Sequence, residues 1–358
     1  MSSTPVSNEQ SLHDRRIEET VPLVSPEELL AEHPLDERLA GFVLSSRREV
    51  TAILDREDPR LLVIVGPCSV HDPVAALDYA KRLAGLAGEL PDLLVVMRVY
   101  FEKPRTTTGW KGLINDPHLD DSGDVNAGLR TARHLLLEVL EVGLPIGCEY
   151  LDPITPQYIA DTVAWGAIGA RTTESQTHRQ LASGLSMPIG FKNRTDGNVA
   201  VAVDALRAAA ARHSFAGVEL GGGSAILRTA GNADCHIILR GGRGTTNYDA
   251  DSVADTIERL RSVGLPERVI IDASHDNSGK DHERQPEVAA RIAEQVAAGN
   301  GAIVGVMLES FLEGGRQDLG GPLTYGMSVT DSCMSWDATV EVLRGLDAAA
   351  RSRRESAG

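Results

Sequence analysis

The chain has 358 residues, 42% hydrophobic and 24% charged, which is enough apolar material for a folded core and too much for disorder throughout. A formal net charge of -16 repels nucleic acid at long range. The start lacks a basic leader followed by an apolar run, and no uncharged run is long enough to span a bilayer, so the expectation is a cytoplasmic protein with no membrane and no nucleic-acid partner. With only three Trp, six Tyr and five Phe, the core must rest on Ala, Val, Ile and Leu. Cys68, Cys148, Cys235 and Cys333 form no CxxC pair and are expected to be reduced thiols.

The first 22 residues are polar, and helical spacing over 27–30 and 40–56 then predicts short helices, giving an N-terminal arm of residues 1–56. From residue 61 uncharged runs alternate with amphipathic ones. Strands are predicted at 61–65, 93–99, 144–149, 167–171, 188–192, 236–240, 269–274 and 302–310. Helices are predicted at 128–142, 156–165, 199–211, 250–263 and 286–298. Eight such repeats over residues 57–350 predict an α/β fold, a (β/α)8 TIM barrel. Residues 215–220 and 224–229 flank three glycines and predict a β-hairpin, about 215–229, inserted before barrel strand 6. Residues 351–358 read as a polar, solvated tail.

The apolar runs end in Cys68, Arg98, Glu149, Arg171, Lys192, Arg240, His275 and Glu309. On a barrel these residues converge at the C-terminal mouth. Any one basic strand end can be a rim salt bridge. Arg98, Arg171, Lys192 and Arg240 together, with Lys103 and Arg105, point instead to a cleft for a multiply charged anion, because unpaired charge in low dielectric is costly. The arginine fork suits phosphate and carboxylate. Cys68, His275, Glu309 and Asp331 offer donors suited to Mn, Fe, Co or Zn, the alternative being a small buried strand end for Cys68 and a turn residue or helix cap for His275. The glycine-rich stretches at 221–225 and 241–244 read as turns, and His178 as the exposed face of a helix rather than a pocket residue.

GPCSVHDP from Gly66, MRVYFEKPRTTTGWKGLINDP from Met97, GAIGARTTESQ from Gly166, GFKN from Gly190, HIILRGG from His236, DASHDNSGK from Asp272 and YGMSVTDSC from Tyr325 carry a resemblance. Through them nearly the whole chain resembles the type I, microbial 3-deoxy-D-arabino-heptulosonate 7-phosphate synthases. The resemblance implies condensation of phosphoenolpyruvate with erythrose 4-phosphate and water, opening the shikimate pathway. It implies one divalent metal ion per subunit, held by Cys68, His275, Glu309 and Asp331, and a catalytic set of Lys103, His275 and Cys68. Arg98, Lys103, Arg171, Lys192 and Arg240 match phosphoenolpyruvate positions, with Glu149 in the same pocket and the Ala170 backbone available to phosphate. Pro104, Arg105, Thr106 and Thr107 match the stretch that receives erythrose 4-phosphate.

The resemblance also implies inhibition by an aromatic amino acid, with Asp152, Pro153, Pro156, Ser186 and Gly217 at matching positions, and a homodimer or homotetramer. Gly217 stands where some regulated relatives have serine. Arg194 and Asp276 depart from the usual glycine and alanine, and are expected either to compensate one another or to perturb substrate affinity. Competing readings are a 3-deoxy-manno-octulosonate 8-phosphate synthase, a Schiff-base aldolase using Lys192, and a non-enzymatic metal-dependent sensor on the same barrel.

Overall fold

Strands buried on both faces read as continuous aliphatic runs, and eight such runs form the centre of the protein. The structure is a computed structural model that describes residues 12–105 and 108–357. In chain order the strands are β1 (Leu61–Gly66), β2 (Leu93–Arg98), β3 (Ile146–Glu149), β4 (Trp165–Ile168) and β5 (Ile189–Lys192). They continue with β6 (Ser214–Val218), β7 (Ser224–Arg228), β8 (His236–Leu239), β9 (Val269–Asp272) and β10 (Ile303–Glu309). Eight of them close a parallel barrel in the order β1-β10-β9-β8-β5-β4-β3-β2, and β6 and β7 pair antiparallel as a separate hairpin. The expected (β/α)8 architecture is observed, with the hairpin ahead of the sixth barrel strand.

The helices are α1 (Pro26–Glu32), α2 (Glu37–Leu54), α3 (Pro73–Ala87), α4 (Val125–Glu141) and α5 (Pro156–Ile159). They are followed by α6 (Gln176–Ala182), α7 (Ala200–Ala209), α8 (Ala250–Ser262), α9 (Gln285–Ala297) and α10 (Trp336–Ala357). Side-chain oxygens of Ser25, Asp36, Asp72, Asp124 and Asp249 cap the helices that follow them, which is why these helices begin where they do. No described helix is long and apolar enough to cross a membrane.

Alternation along each strand separates two cores. Leu61, Val63 and Val65 face the surrounding helices, whereas Leu62 and Ile64 join Leu94, Val96, Ala167, Ile238 and Ile270 inside the barrel. Val50, Ile53 and Leu54 of α2 belong to this interior cluster, so α2 plugs the end where the strands begin.

Three expectations are corrected. The helix expected over 156–165 ends at Ile159 with a 3-10 turn to Thr162, because Trp165 is already paired to Gly147 as the first residue of β4. That strand stops at Ile168, so Arg171 lies in the following turn. Residues 351–357 continue α10, and Arg353 docks its guanidinium on the carbonyls of Ile303, Pro59 and Arg60.

Candidate active site

The inward-facing parity of the interior core continues to the strand ends. It carries Gly66, Arg98, Glu149, Lys192, Arg240, Asp272 and Glu309 into one layer at the C-terminal mouth. Beyond β4 the corresponding position is Gly169, where an added Cβ would lie 2.6 Å from Glu149 Oε1. Glycine there leaves room for the carboxylate. The charges pair across the layer: Arg98 Nη2 lies 3.0 Å from Glu309 Oε1 and Lys192 Nζ 3.1 Å from Asp272 Oδ2, all four groups buried. Above them opens a cavity of about 440 Å³.

One side of the cavity collects donors. Cys68 follows β1, whose barrel partner β10 ends in Glu309, and the backbone pairing of Gly66 with Glu309 brings the two together. Asp331 arrives on the segment after β10, tied by a 2.6 Å hydrogen bond between Ser69 and Thr330. Ligand atoms of Cys68, Glu309 and Asp331 all lie within 4.8 Å of one another. His275 Nε2 is 3.7 Å from Glu309 Oε1, while its Nδ1 lies 2.9 Å from Asp272 Oδ2. A carboxylate on Nδ1 holds the proton there and leaves Nε2 as a lone-pair donor.

Lys103 donates to Cys68 Sγ and Asp331 Oδ2, each at 2.8 Å, so an ammonium already supplies positive charge among these groups. Burial pushes the Cys68 thiol up to about 11, with Glu309 adding to the effect. Burial would also raise Asp331, but the charge and hydrogen bond of Lys103 hold its carboxyl well below the usual range. A soft sulfur and two carboxylates that meet this closely fit a borderline divalent ion; His275, expected as a fourth donor, stands beside Glu309 but outside this group of three.

The other side is basic. Lys192, Arg240, Ala170 and Arg171 come from β5, β8 and the turn after β4, across the barrel from β1. Of the other residues expected to bind substrate, Arg98, Lys103, Pro104, Arg105 and Glu149 also line the cavity; Thr106 and Thr107 lie outside the described residues. Arg98 is held in place by bonds to the carbonyls of Pro67 and Cys68 and by the Tyr100 ring 3.7 Å from its Cζ.

Sequence reasoning missed Asp272, Tyr100, Glu102 and Lys280. Asp272, three residues before His275, is the inward strand-end residue, and acid-to-histidine spacing on one turn was the available signal. Glu102 lines the cavity and accepts from the backbone N–H groups of Leu151 and Asp152; burial, then the Asp152 charge, pushes it up to about 8. His178 is corrected: it is buried, with Nδ1 2.8 Å from Ser175 Oγ and Nε2 2.7 Å from the Leu151 carbonyl oxygen. Arg194 and Asp276 do not compensate one another. Arg194 pairs with Glu174 at 2.8 Å and Asp196 at 2.9 Å, and Asp276 pairs with Arg240.

Of the expected regulatory positions, Pro156 and Ser186 share a separate cavity of about 390 Å³ with Phe215 and Leu227 of the hairpin. Gly217 does not line it, and an added Cβ there would lie 2.5 Å from the Leu227 side chain. Asp152 and Pro153 are exposed and do not line it.

This geometry defines a class: (β/α)8 enzymes that grip small anionic substrates beside donors for a divalent ion. The chain belongs to the DAHP synthetase I family, whose family model matches residues 39–344 and whose members are metal-dependent. It is 55% identical to the phospho-2-dehydro-3-deoxyheptonate aldolase of Corynebacterium glutamicum, covering 99% of this chain and 100% of that one. It is 56% identical to the Phe-sensitive phospho-2-dehydro-3-deoxyheptonate aldolase of Escherichia coli K12, over 95% of this chain and 98% of that one. The solved structure of the Francisella tularensis phospho-2-dehydro-3-deoxyheptonate aldolase superposes with a TM-score of 0.93 at 49% identity, covering 94% of this chain and 99% of that one.

Proposed function

We propose that the chain condenses phosphoenolpyruvate with erythrose 4-phosphate and water to give 3-deoxy-D-arabino-heptulosonate 7-phosphate and phosphate. The single observation that carries this reading is a cavity in which seven basic side chains, Arg98, Lys103, Arg105, Arg171, Lys192, Arg240 and Lys280, stand beside the Cys68–Glu309–Asp331 cluster. Two phosphorylated substrates repel one another, and opposed cations allow their reacting carbons to approach. Lys192, Arg171, Arg240 and the Ala170 backbone hold phosphoenolpyruvate with Arg98 and Lys103, next to Glu149. Pro104 and Arg105, with Thr106 and Thr107, receive the sugar phosphate.

Carbon 3 of the enolpyruvate adds to the aldehyde carbon, water adds at carbon 2, and collapse of that centre expels phosphate by carbon–oxygen cleavage. Lys103 and His275 are the candidate proton carriers on the cavity wall, and Lys103 also screens the Cys68 sulfur. Cys68, His275, Glu309 and Asp331 would hold one Mn, Fe, Co or Zn ion, which when bound supplies Lewis acidity towards the aldehyde.

The same reading makes the protein a cytoplasmic homodimer or homotetramer of aromatic amino acid biosynthesis, inhibited by an aromatic amino acid. The cavity between Pro156, Ser186 and the hairpin supports an effector of that size. Phosphate release with erythrose 4-phosphate and with arabinose 5-phosphate, side by side, tests the assignment. Faster turnover of the four-carbon sugar is expected; preference for arabinose 5-phosphate, or binding of either without phosphate release, contradicts it.

A further inference from the structure

Arg98 and Lys192 pair with Glu309 and Asp272, acids fixed on barrel strands and fully buried. Arg240 differs. Its acid, Asp276, sits on a turn, lines the cavity and keeps 18% of its side chain exposed, while Arg240 keeps 6%. The contact uses only Nη1, and Arg240 Nε is buried with no acceptor among the described residues. A one-point contact on a forked cation is weaker than the two-point contact a phosphate or carboxylate makes.

The backbone under this contact is closely packed and hydrogen-bonded. Gly241 (φ +70) packs so closely on the turn that an added Cβ would lie 2.8 Å from Asn277 N and 2.9 Å from the Asp276 carbonyl carbon. Asn277 Nδ2 donates to the carbonyl oxygens of Asp272 at 2.8 Å and Leu239 at 3.3 Å. Releasing Arg240 therefore needs only rotation of the Asp276 side chain. Lys280 also lines this cavity. Arg194 is engaged by Glu174 and Asp196.

We propose that Asp276 is an internal competitor of the substrate: its carboxylate occupies the Arg240 position that the anionic group of phosphoenolpyruvate takes, and binding displaces it. The inference rests on the reading of Arg240 as a phosphoenolpyruvate-binding residue. Apparent affinity is then the intrinsic affinity multiplied by the fraction of molecules in which Arg240 is free. Inorganic phosphate, the product, is weakened in the same way, which favours its release.

The test compares wild type with Asp276→Asn and Asp276→Ala, measuring phosphoenolpyruvate affinity by titration, its KM and kcat, and inhibition by inorganic phosphate. Phosphoenolpyruvate and phosphate are both expected to bind about 3- to 30-fold more tightly, with the gain in KM rather than kcat. A merely structural role for Asp276 would not strengthen phosphate inhibition. The asparagine variant preserves side-chain size should the alanine variant fold poorly. Unchanged or weaker binding of both anions overturns the proposal. Arg240→Ala separates the two readings: if it leaves phosphoenolpyruvate affinity intact, the role of Arg240 is wrong, whereas weakened binding there with no tightening at Asp276 defeats this inference alone.

Discussion

Lys103 contacts Cys68 and Asp331 and its ammonium balances the Asp331 carboxylate, while Arg98 balances Glu309. The donors and the anion wall are chemically separable through single residues. Cys68→Ala removes the only sulfur in the donor set. Loss of a residue merely supporting a metal ligand costs about 10- to 100-fold in affinity or activity, and a direct donor should cost more. Metal content and turnover should fall together. Arg171→Ala, on the opposite wall, should raise the phosphoenolpyruvate KM by about 10- to 100-fold, the loss of a charge-assisted contact, with metal content unchanged. Normal rates in both variants would break the assignment of these residues.

His236 shows a residue whose chemistry serves the barrel rather than the reaction. Trp165 Nε1 donates to His236 Nε2 at 3.0 Å, and Nδ1 lies 3.1 Å from the Asp234 carbonyl oxygen, so the neutral ring satisfies both partners. Burial pushes this imidazole down to about 3. A depressed value contributes stability that is present above the unfolded-state value near 6.5 and is lost as pH falls towards 3, at about 1.4 kcal/mol per pH unit. Denaturant unfolding at pH 7 and pH 5 should show wild type losing about 2 kcal/mol more than His236→Gln. Equal losses in the two proteins would contradict the burial of a neutral ring.

At the scale of elements, strand alternation explains what was legible in the sequence and what was not. The polar terminators Arg98, Glu149, Lys192 and Glu309 are strand-end residues on inward positions, so reading the ends of apolar runs found them. His275 was found for its chemistry, yet it lies three residues beyond β9 in a turn with φ +55, and the inward strand end is Asp272. Pairings such as Asp276 with Arg240 depend on turn geometry between separate strands, which no local pattern encodes.

The arm also touches the hairpin and α5. Glu27 N–H donates to the Leu220 carbonyl oxygen at 2.8 Å, and Tyr158 Oη donates to the Val24 carbonyl oxygen at 2.7 Å. The arm thus bridges the hairpin turn and α5, the elements around the cavity that contains Pro156 and Ser186. Deleting residues 1–30 should weaken inhibition by phenylalanine, tyrosine or tryptophan more than it lowers uninhibited turnover, as read by rate assays with each amino acid. Unchanged inhibition would count against a regulatory arm.

For the whole molecule, closure of the barrel is the decisive physical step. Only when β1 pairs with β10 do Cys68 and Glu309 meet, and only the ring order sets the Lys192–Arg240 wall across from them. An acidic chain therefore concentrates cations at one place, beside the donors, and the family assignment agrees with that arrangement. The most direct test is phosphate release from phosphoenolpyruvate and erythrose 4-phosphate before chelation, after chelation, and after Mn, Fe, Co or Zn is restored singly. Loss of release on verified metal removal and recovery with at least one ion is predicted; a full rate in metal-free protein, or none in metal-replete protein, would contradict it.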